Sequence, residues 1–180
     1  MFVSQPNQTP QTIIEELGGT IRMSEAINAG INRYTLYSML KKGELEQLSR
    51  GVYRLANLAD LSEPDLVIVA TRIPRAVICL ISALSYHDMT TQIPHEISIA
   101  LPTGVKAPNL DHPPIIIHRF NKQSYEAGIE THLIDGIPTQ IYNPEKTLVD
   151  CFKFRNKIGV DVVLEALKIY REKQAINIGS

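Results

Sequence analysis

Three short segments with apolar residues at helical spacing open the chain, and two alternating runs follow them. In TPQTIIEELGG, Ile13, Ile14 and Leu17 form one stripe and Gly18-Gly19 closes it, which predicts a short first helix. MSEAINAG predicts a second helix of about two turns, entered at Met23 or Ser24, with Ala26 and Ile27 inward and Gly30 as its left-handed stop. Asn32 is placed to cap a third. That helix carries Leu36, Met39 and Leu40 on one face, sets Arg33, Tyr34, Tyr37, Ser38 and Lys41 on the other, and ends at Gly43. ELEQL and VYRL then read as strands joined through Ser49-Arg50-Gly51. The order helix, helix, helix, strand, strand is that of a winged helix-turn-helix.

A polar break at ANLADLSEPDL separates this unit, residues 1–58, from a second one over residues 62–180. There, EPDLVIVATRIP predicts a short apolar helix stopped by Pro74, and RAVICLISALSYHDM a longer buried one. HEISIALP and PPIIIHRF read as strands, and ETHLIDGIPTQIY as a hairpin turning at Asp135-Gly136. Two closing helices are expected. The first has Asn143 as cap, Pro144 in its first turn and Leu148, Val149 and Phe152 inward; the second turns Val163, Leu164, Leu167 and Tyr170 inward, with Gly159 between them. The expected fold class is therefore α+β: a winged helix followed by a small, mostly antiparallel sheet with C-terminal helices.

Composition narrows the function only by exclusion. A net charge of −1 over 180 residues with 44% hydrophobic residues fits a globular chain and does not announce a nucleic-acid binder. Cys79 and Cys151 have neither metal-ligand spacing nor the density of a disulfide framework, so both are expected to be buried thiols in a reducing compartment. The first ten residues lack the basic and apolar regions of a leader, and no run reaches the roughly 18 apolar residues of a membrane span. A cytoplasmic protein without a membrane partner is the expectation.

Placement of charge says more than its sum. Residues 1–55 hold Arg22, Arg33, Lys41, Lys42, Arg50 and Arg54 against Glu15, Glu16, Glu25, Glu44 and Glu46, a net of +1. Arg33, Lys41, Lys42 and Arg50 fall on the elements of a winged helix that meet double-stranded DNA, helix in the major groove and hairpin tip on the backbone. So small a cationic set binds weakly as a single copy at physiological salt, which implies two copies on repeated half-sites or self-association on DNA. Against catalysis, His87, Asp88, Asp111, His112, His118 and His132 show no helical His pair at metal spacing, although His118 and His132, both in predicted strands, are candidates for neighbours. PTGVKAP has one glycine and no phosphate-loop pattern, and no Gly-x-Ser-x-Gly elbow occurs. No catalytic residue, metal or cofactor is expected.

GGTIRMSEAINAGINRYTLYSMLKKGELEQLSRGVYRL resembles the N-terminal winged-helix domain of AbiEi antitoxins from abortive-infection (type IV) toxin-antitoxin systems, and IYNPEKTLVDCFKFRNKIGVDVVLEAL is similar to the close of their C-terminal domain. The resemblance implies an antitoxin that also represses its own operon by binding promoter repeats, and a partner in a nucleotidyltransferase-like toxin encoded alongside. Carried onto this chain, the DNA-binding positions are Arg22, Arg33, Tyr34, Thr35, Tyr37, Ser38, Lys41, Lys42 and, on the wing, Arg50. The alternative is an ordinary winged-helix regulator whose second domain senses a ligand or dimerises. A second cluster, Lys146, Lys153, Arg155 and Lys157, either complements the end of its helix or forms another contact for DNA or a partner.

Overall fold

The computed structural model describes residues 8–107 and 109–178; most of the stretch read for a leader lies outside them. The N-terminal unit runs α1 (Pro10–Glu16), β1 (Thr20–Arg22), α2 (Met23–Asn28), α3 (Arg33–Lys41), β2 (Leu45–Ser49) and β3 (Val52–Leu55). Its helices lie where the periodicity placed them. The strand β1 was not anticipated: three residues are too few to show alternation, and they follow Gly18 and Gly19, both at positive φ. It pairs antiparallel with β3, Thr20 opposite Arg54 and Arg22 opposite Val52, giving a three-stranded sheet in the order β1-β3-β2.

That added strand makes β3 central and buries all four of its residues. It also explains Arg54, which pairs with Glu46 at 3.2 Å and donates to the Ala59 carbonyl, inside the unit and away from the wing tip. Ile14, Ile21, Ala26, Leu36, Met39 and Tyr53 are among the buried residues of this unit's own core.

The second unit comprises α4 (Pro64–Arg72), β4 (Val77–Ile78), α5 (Leu80–Tyr86), β5 (Ile97–Pro102), β6 (Ile115–Phe120), α6 (Lys122–Glu126), β7 (Ile129–Ile134), β8 (Ile137–Tyr142), α7 (Pro144–Lys153), α8 (Arg155–Ile158) and α9 (Val160–Ile178). Its five strands run β6-β5-β4-β8-β7. The α+β class holds, with a mixed sheet in place of the mostly antiparallel one: β4/β5 and β7/β8 are antiparallel, whereas β5/β6 and β4/β8 are parallel. The expected hairpin is β7/β8, with Asp135 at φ 49° and Gly136 at φ 81°, the two left-handed residues that a tight turn of this hand requires.

The segment expected as one long buried helix is divided. Val77 and Ile78 form the central strand, and the helix starts only at Leu80. The β-branched pair fills the gap between β5 and β8, an arrangement that depends on strands distant in sequence and that local periodicity cannot report.

Alternation sorts the sheet's two faces. Ile78, Ile99, Leu101 and Ile141 pack with Leu66, Val67 and Val69 of α4, while Val77, Ala100, Phe120 and Tyr142 pack with α5, α7 and α9 through Leu84, Leu148, Cys151, Val163 and Ala166. Both cysteines are buried and free, and burial pushes the Cys151 thiol up to about 12. Helix α4 also contacts β1 and β3, so it joins the two units. Five residues expected inward are not: Ile27 of α2 is 42% exposed, and Val149 and Phe152 of α7 and Leu164 and Leu167 of α9 are 65, 57, 61 and 42% exposed. Helices α7 and α9 rest on the adjacent stripes Thr147/Leu148/Cys151 and Val162/Val163/Ala166.

Candidate nucleic-acid interface

Helix α3 begins because Asn32 supplies the missing acceptor at its first turn: the Oδ1 atom accepts from the Thr35 backbone N–H at 2.8 Å and the Thr35 hydroxyl at 3.0 Å. Leu36 and Met39 anchor the helix in the core. The opposite face is left to solvent, where Tyr34 is 83% and Tyr37 55% exposed beside Arg33, Lys41 and Lys42. Thr35 and Ser38 are half-buried at the margin of that face.

The β2–β3 turn projects Arg50, with a register shift between Gln47 and Ser49 that breaks the regular ladder before the tip. Arg33 and Tyr37 of α3 face Gln47, Arg50, Gly51 and Tyr53 of the hairpin across a shallow cleft of about 350 Å³ that Met23 also lines. Burial, and then the neighbouring Tyr37 phenol, hold the Tyr53 hydroxyl above its ordinary pKa, so it stays a neutral donor at the cleft floor. Among the described residues, Arg33, Lys41, Lys42 and Arg50 have no ion-pair partner. Four uncompensated cations with two exposed phenols on one surface can donate to phosphate oxygens and to acceptors on base edges.

Not every expected residue joins them. Arg22 is committed to Glu25, at 2.7 Å, and that carboxylate also accepts from the Arg22 backbone N–H; although burial opposes it, this double contact holds Glu25 below its ordinary pKa. Arg22 lines a different groove, of about 1290 Å³, where the first unit meets Ala70, Thr71 and Pro138 of the second. Gln47 and Tyr53 were missed as cleft residues. Alternation along the wing strand would not have found Gln47, since it stands two residues from buried Leu45 on the face a period of two turns inward.

The second cationic cluster divides. Lys146 is no surface contact: its side chain is 12% exposed, its ammonium donates to both Asp150 carboxylate oxygens at 2.7 Å, and it lies about 5 Å from the Phe120 and Tyr142 ring centres. Lysine at this position reads as surface because one ring over it, Phe120, comes from a strand distant in sequence, while Tyr142 ends the strand that leads into its helix. Lys153 and Lys157 lie over Phe154 and Arg155 over Phe152; Arg155 also donates to the Phe152 carbonyl at 3.0 Å, as a cation at a helix C-terminus does.

Two histidines meet, His87 and His132, edge to face with ring centres 6.0 Å apart. His118 on β6 and His132 on β7 occupy opposite edges of the five-stranded sheet, so they are not neighbours. His87 contacts the Tyr142 carbonyl at 2.8 Å, and His132 meets Tyr86 edge to face. Among the described residues no group of three His, Cys, Asp or Glu side chains could hold a metal ion, and no helix is long and apolar enough to cross a membrane.

Comparison with known proteins bears on this surface directly. Residues 8–56, which contain α1 to β3, match the family described as transcriptional regulator, AbiEi antitoxin. The likeness to AbiEi regulators is therefore one of this N-terminal segment. The match includes the capped helix α3 and the wing that carry the exposed cations, and it stops before α4. No curated protein matches. Among solved structures, the RV2827C protein from Mycobacterium tuberculosis superposes with a TM-score of 0.51 at 15% identity over 77% of this chain, and this chain spans 58% of that one. At that identity the likeness is one of fold. It extends beyond the AbiEi-matched segment into the second unit.

Proposed function

We propose that the protein is an antitoxin and autorepressor of a toxin-antitoxin operon, reading promoter repeats through the winged helix and counteracting a nucleotidyltransferase-like toxin through the second domain. The AbiEi family of residues 8–56 supports an antitoxin and regulator role. The single observation that carries the DNA-reading half is the convergence of Arg33, Tyr37 and Arg50 on one solvent-facing cleft, with Lys41 and Lys42 unpaired along the same helix. In this reading α3 enters the major groove with Arg33, Tyr34 and Tyr37 toward base edges, while Lys41, Lys42 and Arg50 take flanking phosphates. Thr35 and Ser38 add hydroxyls at the helix margin.

Domain 1–58 is the reading head and domain 62–180 the effector. The chemistry is recognition without catalysis, and no cofactor enters it. A reporter fused to the gene's own upstream DNA tests the repressor half: the protein should lower expression, and Arg33→Ala or Tyr37→Ala should restore it by tenfold or so, the worth of one good base contact. Co-expression with a nucleotidyltransferase-like protein encoded next to it tests the other half, through rescue of growth. The ordinary ligand-sensing regulator draws support from the groove between the units, where the buried Thr20 hydroxyl has no hydrogen-bond partner. Repression that persists while growth is not rescued would favour that second reading.

A further inference from the structure

Helices α7 and α9 lie antiparallel, tied by the Tyr170 hydroxyl, which donates to Glu145 at 2.5 Å. On α7, Val149 and Phe152 follow Glu145 at i+4 and i+7. On α9, Leu167, Leu164 and Val160 step back from Tyr170 at the same helical spacing. Each edge therefore continues the line of the tying contact, and the five apolar side chains form one stripe along the two helices. Their exposures run from 42 to 65%. Five such side chains expose on the order of 500 Å² per chain, at the upper end of the largest patch on an ordinary monomer.

We propose that this α7–α9 stripe is the surface on which a second copy of the chain docks, through α9 packed antiparallel against its counterpart. Charge selects this occupant. Asp161 and Lys168 are exposed, have no ion-pair partner among the described residues, and stand three residues before and four after Leu164. A twofold crossing centred beside Leu164 sets Asp161 opposite the partner's Lys168, and by symmetry repeats that pair at the other end. Leu164 then meets its own counterpart, while Val160 packs beside the partner's Leu167 and Leu167 beside the partner's Val160.

Two such faces bury about 1,000 Å², the lower limit of specific association, so the pair is weak in free solution. Its use is on DNA. Two reading heads held on adjacent repeats face each other at a raised effective concentration, and each adds its few cations to a shared set of phosphates.

Sedimentation velocity of the full chain without DNA, from low to high micromolar concentration, tests this independently of whether the winged helix reads a promoter. The wild type should shift from monomer toward dimer as concentration rises. Leu164→Asp, with an unchanged unfolding midpoint, should remain monomeric. Asp161→Lys alone and Lys168→Asp alone should also remain monomeric, and an equimolar mixture of the two should regain dimer, because each then presents the charge its partner lacks. A wild type that stays monomeric throughout, a Leu164→Asp variant that associates like wild type, or a mixture that fails to recover would each overturn the proposal.

Discussion

The Lys146 ammonium is the counter-charge of a carboxylate that has almost no access to water. Removing it leaves Asp150 buried and unpaired, so Lys146→Met is expected to lower unfolding free energy by about 3–5 kcal/mol at pH 7, measured by urea denaturation. Burial already holds the Asp150 carboxyl above its ordinary pKa, against the pull of Lys146. With Lys146 gone the native state keeps that proton to still higher pH while the unfolded chain releases it in the usual carboxylate range, so stability falls as pH rises. The deficit of the variant should accordingly be larger at pH 7 than at pH 4, and an equal deficit would refute the assignment. His118 runs the other way. Burial first, and then the charge of Lys157, lower its pKa, and its buried Nε2 has no partner. The unfolded chain takes up a proton near pH 6.5 that the native state refuses, so wild-type stability should drop as pH falls from about 7 toward 5. His118→Gln should flatten that part of the curve, as followed by thermal unfolding across pH.

Helix α3 depends on its cap as much as on its core residues. Asn32→Ala removes the acceptor for the Thr35 N–H and is expected to cost about 1 kcal/mol in a denaturation experiment. Loss within error of zero would show that Leu36 and Met39 alone hold the first turn. Elements of this kind, made of a cap, an apolar stripe and a glycine stop, can be read from local residues, and α1, α2 and α3 occur where that reading puts them; the first closing helix starts at its Asn143 cap but breaks at Phe154 into α7 and α8. The hairpin at Asp135-Gly136 was legible for the same reason. Elements set by distant partners were not: β1 is a strand because β3 lies beside it, and Val77-Ile78 is one because β5 and β8 flank it. The exposed face of α3 was legible because a helix that buries Leu36 and Met39 must present Arg33, Tyr37 and Lys41 to water. Its closure into a cleft by Gln47 and Tyr53 was not, since that depends on how the hairpin folds back over α2 and α3. On α7 and α9 the apolar residues outnumber the places the sheet can cover, and periodicity alone cannot say which of two adjacent stripes is buried.

At the scale of the molecule, a small N-terminal unit with its own core is attached through α4 to a five-stranded sheet whose other face is covered by α5, α7 and α9. The near-neutral total charge conceals an uneven distribution, in which unpaired cations gather on α3 and the wing tip. The central claim is that this surface reads DNA. The most direct test is fluorescence anisotropy of the purified chain on its own upstream duplex and on a shuffled duplex, titrated over salt, for wild type, Lys42→Ala and Arg50→Ala. The account predicts tighter binding to the upstream duplex, and a plot of log affinity against log salt whose slope decreases in magnitude by about 0.9 for each phosphate contact removed. Equal, feeble binding to both duplexes, with the same salt slope in all three proteins, would contradict it.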